Sequence, residues 1–289
     1  MLLRAVHTTT YNYSDVVSLC QTEVRLKPRT IATQRVIDHQ LVVDPQPRSV
    51  IVRHDFFGND VTTVAIEEPH RTLSISATSL VETSNPDLLH PALTPQWEHV
   101  RDSVREVRSE AAFIAFQFTL ESPRISPSAA LTRYALPSFP PTRPVLEGAM
   151  DLCHRIFSDF KYDQTSTTVT TPVEEAFRTR VGVCQDFAHV MLGCLRGLGL
   201  PARYVSGYLR TADDLIGAQA SHAWLSFYCP GFGWLDIDPT NDLMPSGNHV
   251  TLAYGRDYSD VPPVKGVALG GGDHSITVEV HVTPPSPEV

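Results

Sequence analysis

Arg180-Val-Gly-Val-Cys-Gln-Asp-Phe-Ala-His-Val-Met-Leu-Gly-Cys-Leu-Arg-Gly-Leu-Gly-Leu-Pro-Ala-Arg-Tyr204 is the stretch that decides how the rest of the chain is read. After Cys184, apolar residues recur at helical spacing: Phe187, Val190, Met191, Cys194, Leu195 and Leu198. Gly199 and Pro201 stop the run. Gly182 permits a tight turn just ahead of it. The pattern predicts an amphipathic helix with Cys184 at or near its first turn. That end of a helix carries unpaired N–H groups and a partial positive charge, which favour a thiolate and could hold an oxyanion. A cysteine so placed is by itself more simply a small buried hydrophobe. A nucleophilic role needs partner residues elsewhere in the chain.

Two later signals supply partners. His222 begins a predicted strand in Ser221-His-Ala-Trp-Leu, and Asp238 ends the next strand in Leu235-Asp-Ile-Asp-Pro-Thr. A cysteine nucleophile needs a base to share its proton, and the base needs a carboxylate to fix its tautomer. A His and an Asp on adjacent antiparallel strands can meet across the ladder, where opposed Cβ atoms lie ~5 Å apart. Asp236 is the rival carboxylate, because on a strand it shares a face with Asp238.

Working outward, residues 1–83 read as short β segments: Thr8–Tyr13, Thr22–Leu26, His39–Val43, Ser49–Asp55, Asp60–Ile66 and Leu73–Glu82. They suggest a small sandwich or barrel. The histidines there are scattered and read as structural. Residues 84–141 form a linker, helical over Gln96 to about Phe118, with Trp97, Val100, Val104 and Val107 on one face and Arg101, Arg105 and Arg108 elsewhere. A second helix places Val145, Ala149, Leu152, Ile156 and Phe157 together and opens a core of residues 142–268. Thr171-Pro-Val-Glu-Glu175 looks like another helix start. Ala202–Arg210, Ala223–Tyr228 and Trp234–Ile237 read as strands, and Gly270–Gly272 as a flexible joint. In Ser275–Thr283, Ile276, Val278, Val280 and Val282 alternate with polar residues. This tail must pair somewhere, and the N-terminal sheet is the expected partner.

Composition sets limits. The net charge is −9, which argues against general nucleic-acid binding. No apolar run approaches the ~20 residues of a membrane span, and the N-terminus lacks the apolar centre of a signal peptide. The five cysteines are widely spaced with no CxxC pair, so neither a zinc site nor a disulfide framework is expected. A reducing, cytoplasmic setting is the expectation.

Gly182-Val-Cys-Gln-Asp-Phe-Ala-His189, Leu200-Pro-Ala-Arg-Tyr-Val-Ser-Gly-Tyr208, Ser221-His-Ala-Trp224, Gly233-Trp234, Asp238-Pro-Thr-Asn241 and Gly255-Arg-Asp-Tyr258 together resemble the transglutaminase-like superfamily. More closely they resemble its bacterial group of transglutaminase-like cysteine proteases with an N-terminal β domain. The resemblance covers most of the chain and is strongest over residues 142–266. It implies an α+β fold: an N-terminal β-sandwich or barrel-like domain, a helical linker, and a papain-like core in which the Cys helix packs on an antiparallel sheet. It also implies Cys184 as nucleophile, His222 as base and acid, and Asp238 as orienting carboxylate, with acyl transfer through a thioester and no cofactor or metal. No stretch reads as the acidic calcium sites of the animal enzymes. By the same resemblance Tyr162 is an analogue of an upstream aromatic that donates to the oxyanion. Asp186 is expected to complement the helix dipole, with support of the site as the alternative, and Trp224 to be a core residue or to shield the ion pair from water. The resemblance implies a peptide or protein substrate. Water as acceptor makes a hydrolase, an amine makes a protein-glutamine γ-glutamyltransferase, and loss of chemistry would leave a peptide-binding module.

Overall fold

The computed structural model describes residues 1–107, 109–211, 215–218 and 220–285. The N-terminal sheet hangs on one strand, β1 (Leu2–Val24), 23 residues long. The sequence pattern suggests two shorter strands there. The structure joins them and takes up the extra residues of the polar Asn12–Asp15 stretch as an irregularity between Asn12 and Val17. Along one edge of β1 run β4 (Asp60–Ile66) and β5 (His70–Thr83). Outside them lie β3 (Ser49–His54) on β4 and β2 (Gln34–Asp44) on β5. Along the other edge run β12 (Val264–Gly270) and β13 (His274–Thr283). All these pairings are antiparallel, and the result is one seven-stranded curled sheet, not two stacked ones. Val17, Cys20, Val24, Leu26, Val64, Ile66, Leu73 and Ile75 fill its hollow.

The tail pairs with β1 over Arg4–Tyr13, and its Val280 and Val282 are buried. β12 pairs there too, although its first five residues fall in the range assigned to the core from sequence. Gly270–Gly272 is an ordered corner, opposite the irregularity in β1. Gly271 accepts from the Asp15 N–H at 2.9 Å and donates to Val16 at 3.0 Å.

The linker helix is broken in two: α1 (Trp97–Arg105) and α2 (Glu110–Phe116). Val107 adopts φ 48°, and the Ser109 side chain accepts from Ala112 N–H at 3.1 Å, capping the second helix. Arg108 lies outside the described residues. α3 (Ala129–Ala135) leads to α4 (Val145–Asp159), whose buried face includes Leu146, Cys153 and Ile156. Phe157, expected on that face, is exposed.

A two-residue parallel ladder, β6 (Lys161–Tyr162) against β7 (Val181–Gly182), precedes the helix of interest. Between them lies α5 (Val173–Thr179), entered from Pro172 with Glu174 and Glu175 in its first turn. α6 (Cys184–Gly197) is buried along nearly its whole length, not on one face as its amphipathic pattern suggests. One side packs on the core sheet, where β8 (Ala202–Leu209) and β9 (His222–Cys229) are central. β10 (Gly233–Ile237) and β11 (His249–Gly255) are the outer strands, all antiparallel in the order β10-β9-β8-β11. The other side is covered by α3, which comes so close at Gly193 that an added Cβ would lie 2.5 Å from Leu131.

Candidate active site

Cys184 is the first residue of α6 and Val183 its cap. The first N–H groups to bond back within this turn are those of Asp186 and Phe187, both to Val183. The N–H groups of Cys184 and Gln185 lie ahead of them at the helix end, where no intrahelical carbonyl is available. His222 opens β9, and Asp238 follows β10 in an Asx turn, its Oδ1 accepting from Thr240 N–H at 2.9 Å. His222 Nε2 donates to Asp238 Oδ2 at 2.8 Å, and both side chains are fully buried. That bond leaves Nδ1 without a partner of ordinary hydrogen-bond length. Burial by itself would strip the proton from this imidazole, but the Asp238 carboxylate and then the Cys184 sulfur outweigh it and raise the His222 pKa. Burial would likewise raise the Asp238 carboxyl. The His222 imidazolium and the surrounding donors reverse this and hold it well below the usual carboxylate range.

The other sequence candidates take distinct places. Tyr162 is set beside Gly182 by the β6–β7 ladder, which brings a residue 22 positions upstream to the turn that carries Cys184. Burial first, and then Cys184, push its hydroxyl up to about 12, so it stays a donor. Asp186 folds back on its own turn, accepting from Val183 N–H at 2.9 Å and Thr167 Oγ1 at 2.6 Å. This explains Gly182 differently from a tight turn: a Cβ there would sit 2.6 Å from the Asp186 carboxylate. Trp224 stacks on His222 with ring centroids 6.0 Å apart and gives its Nε1–H to Asp236 Oδ2 at 3.1 Å. The indole needs Gly207 opposite, where a Cβ would come within 2.3 Å of it. Asp236 also accepts from Ser226 and makes no hydrogen bond with His222. It therefore anchors Trp224, while Asp238 takes the imidazole.

His189 lies on another side of α6, accepting from Tyr258 N–H at 3.2 Å through Nε2. Arg256, Asp257 and Tyr258 form a brace under α6. Asp257 accepts from Arg124 N–H at 2.8 Å, Arg256 pairs with Asp260, and Arg196 reaches the Arg256 carbonyl.

Three contributors are not among the sequence candidates. Asn241 Nδ2 donates to Asp238 Oδ2 at 2.9 Å, a contact that its spacing in Asp-Pro-Thr-Asn could have signalled. His249, opening β11, approaches the same oxygen at 3.4 Å. Gly217 lies over His222, where a Cβ would be 2.8 Å from Nδ1. Neither His249 nor Gly217 has a local sequence signal. Among the described residues no group of three His, Cys, Asp or Glu is placed to hold a metal ion. No described helix is long and apolar enough to cross a membrane.

Residues 3–82 match the bacterial transglutaminase-like N-terminal region, and residues 137–239 match the transglutaminase-like superfamily core. The chain belongs to the transglutaminase-like superfamily. An uncharacterized protein of Mycobacterium tuberculosis is 41% identical to this transglutaminase-like protein over 97% of the present chain and 92% of its own length. A protein-glutamine γ-glutamyltransferase of Pseudomonas aeruginosa is 40% identical over 97 residues, which are 30% of this chain and 14% of that enzyme. Among solved structures, a candidate cysteine protease of Cytophaga hutchinsonii shares the fold, with a TM-score of 0.76 at 24% identity over 100% of this chain and 92% of that one.

Proposed function

We propose that this transglutaminase-like protein is a cysteine amidase or peptidase that cleaves an amide or isopeptide bond through a thioester, with Cys184, His222 and Asp238 as its triad. The observation that carries the reading is the buried His222–Asp238 bond, which commits Nε2 and leaves Nδ1 for the thiol at the start of α6. Catalytic hydrogen bonds are often long before substrate binds, so an unclosed Nδ1–thiol contact is compatible with the role. In the acylation step the Cys184 thiolate attacks the amide carbonyl carbon. The oxyanion is received by the N–H groups at the α6 N-terminus, with the Tyr162 hydroxyl as a further donor. The imidazolium of His222 then gives its Nδ1 proton to the departing amine as the C–N bond breaks. In deacylation His222 takes a proton from water, the hydroxide adds to the thioester, and the thiolate leaves with the acid as product. Asp238 holds the tautomer and offsets the imidazolium charge. The five cysteines are all unpaired, which fits action in a reducing, cytoplasmic compartment on a peptide or protein substrate.

The resemblance to the Pseudomonas γ-glutamyltransferase favours a second reading, in which an amine replaces water in deacylation. One experiment separates them: incubate γ-glutamyl and isopeptide amides with the protein, with and without an added primary amine, and identify the acyl product. Free acid in the absence of amine supports the hydrolase; product formed only when amine is present supports the transferase. In parallel, Cys184 should alkylate with iodoacetamide at pH 6 faster than glutathione does. If it reacts no faster than that free thiol, the activated-nucleophile reading fails.

A further inference from the structure

A cavity of about 800 Å³ is not lined by Cys184 or His222. Ala202, Tyr204, Ala223, Leu225 and Phe227 belong to the core around α6. Strand alternation therefore turns Arg203, Ser226 and Asp236 to the opposite face, where register places them in one row across β8, β9 and β10. The cavity lies on that face. Its far wall comes from the loop after β1, at Ile31–Gln34, and from the start of the linker, at Ser84–Leu89. It is a space between the two lobes.

Arg203 gives this space a chemical character. The two faces of its guanidinium are covered, by Tyr254 at 3.5 Å and Trp234 at 4.3 Å from the ring centroids. Its edge is not used: Nε is buried without an acceptor, and no side-chain hydrogen bond or ion pair of Arg203 occurs among the described residues. Asp236, the nearest candidate within the row, is already engaged by Trp224 and Ser226. Arg203 is half-buried, a buried Nε–H without an acceptor is costly, and the planar fork of the guanidinium matches a carboxylate better than any other common anion except phosphate. Phosphate fits poorly here, because Leu89, Leu235 and Met244 line the same space and Asp236 adds a negative charge. Asn248, also in the lining, buries a side-chain oxygen with no donor.

We propose that this cavity is a second binding site, separate from the thiol, for a small monocarboxylate that carries an apolar body and one hydrogen-bond donor. The carboxylate pairs with the edge of Arg203, the body lies against Leu89, Leu235 and Met244, and the donor meets Asn248. The inference stands independently of the proposed reaction. Its location does have a consequence for that reaction: His249 and Asp236 are part of the lining, and they touch Asp238 and Trp224 respectively.

The test is calorimetric titration of the full chain with 3-(4-hydroxyphenyl)propionate and with the corresponding uncharged alcohol. The acid should bind at one saturable site, and the alcohol at least about tenfold more weakly. Arg203→Met should weaken the acid to the level of the alcohol. Ala32→Trp, on the exposed loop of the opposite wall, should block both probes while leaving Arg203 in place, so the proposal can be judged even if Arg203→Met does not fold. Equal binding of acid and alcohol, binding that survives Ala32→Trp, or no saturable binding of the acid would overturn it.

Discussion

At the scale of single residues, the two carboxylates of Leu235-Asp-Ile-Asp238 separate cleanly although their i, i+2 spacing suggests one strand face: Asp236 lies on β10 and Asp238 in the turn after it. Asp238 accepts from His222, Asn241 and Thr240, whereas Asp236 holds Trp224 and Ser226. Asp238→Asn should therefore reduce turnover of any active amide by orders of magnitude, because an amide in that position favours the wrong imidazole tautomer. Asp236→Asn should leave most of the turnover and cost about 1–2 kcal/mol of stability from weakened buried hydrogen bonds. Paired turnover and denaturation curves decide this; greater damage to turnover from the Asp236 change would remove Asp238 from its assigned role. Gly217 offers a separate check. Its φ is +90°, and a methyl group there would press on His222 Nδ1. Gly217→Ala should thus lower both turnover and Cys184 alkylation without unfolding the protein, and unchanged kinetics would show that this segment does not constrain the imidazole.

At the scale of elements, β1 and the tail are interdependent. β13 covers one edge of β1 over Arg4–Tyr13 and inserts Val280 and Val282 against the core, with Thr211 N–H bonded to Val282 at 2.8 Å. A chain ending at Gly272 would expose an unpaired ladder beside newly uncovered apolar surface. It should be recovered largely as aggregate, and amide exchange in any soluble fraction should show β1 losing protection. A soluble, fully protected truncation would mean that the sheet closes without its last strand. The tail was legible from the sequence because its period of two is unbroken. The length of β1 was not: Asn12, Ser14 and Asp15 carry a turn signature, and only pairing on both edges keeps the strand continuous through its irregularity.

For the molecule as a whole, two buried histidines contribute most clearly to the response to acid. Burial pushes His7 down to about 4, and His189 to about 3, with Arg124 and Arg196 adding to the latter and Asp257 opposing it. Both folded-state values lie below the ordinary 6.5, so as pH falls below 6.5 the unfolded chain takes up protons that the folded one refuses. Stability should drop on acidification from pH 6.5 towards 4 by up to about 1.4 kcal/mol per pH unit for each histidine. His222 runs the other way: its raised pKa contributes stability that is complete below 6.5 and fades only as pH rises through the folded value, so it adds no slope in the acidic window. Urea denaturation between pH 4.5 and 6.5 should show this fall, to which His39, also lowered by burial, adds, and His7→Gln should remove part of it. A flat profile would mean that these rings accept protons in the folded state.

The amino-acid order alone determined the candidate positions for chemistry and their succession along the chain. Cys184 at a helix start, His222 at a strand start and Asp238 in an Asp-Pro-Thr turn are local signals, since each depends on residues within a few positions of it. The α+β plan and the joining of the tail to the N-terminal sheet were legible for the same reason, through periodicity; which strand it pairs with was not. Tertiary packing settled what each side chain meets. His249 and Gly217 reach the His222–Asp238 pair from other segments of the chain, and Tyr162 is brought to the Cys184 turn only through a two-residue ladder. Packing also made α6 buried on nearly all sides and left Arg203 facing a cavity between the lobes. Spacing along the chain reports which face of one element is apolar, whereas the neighbours of that face are set by how separate elements pack.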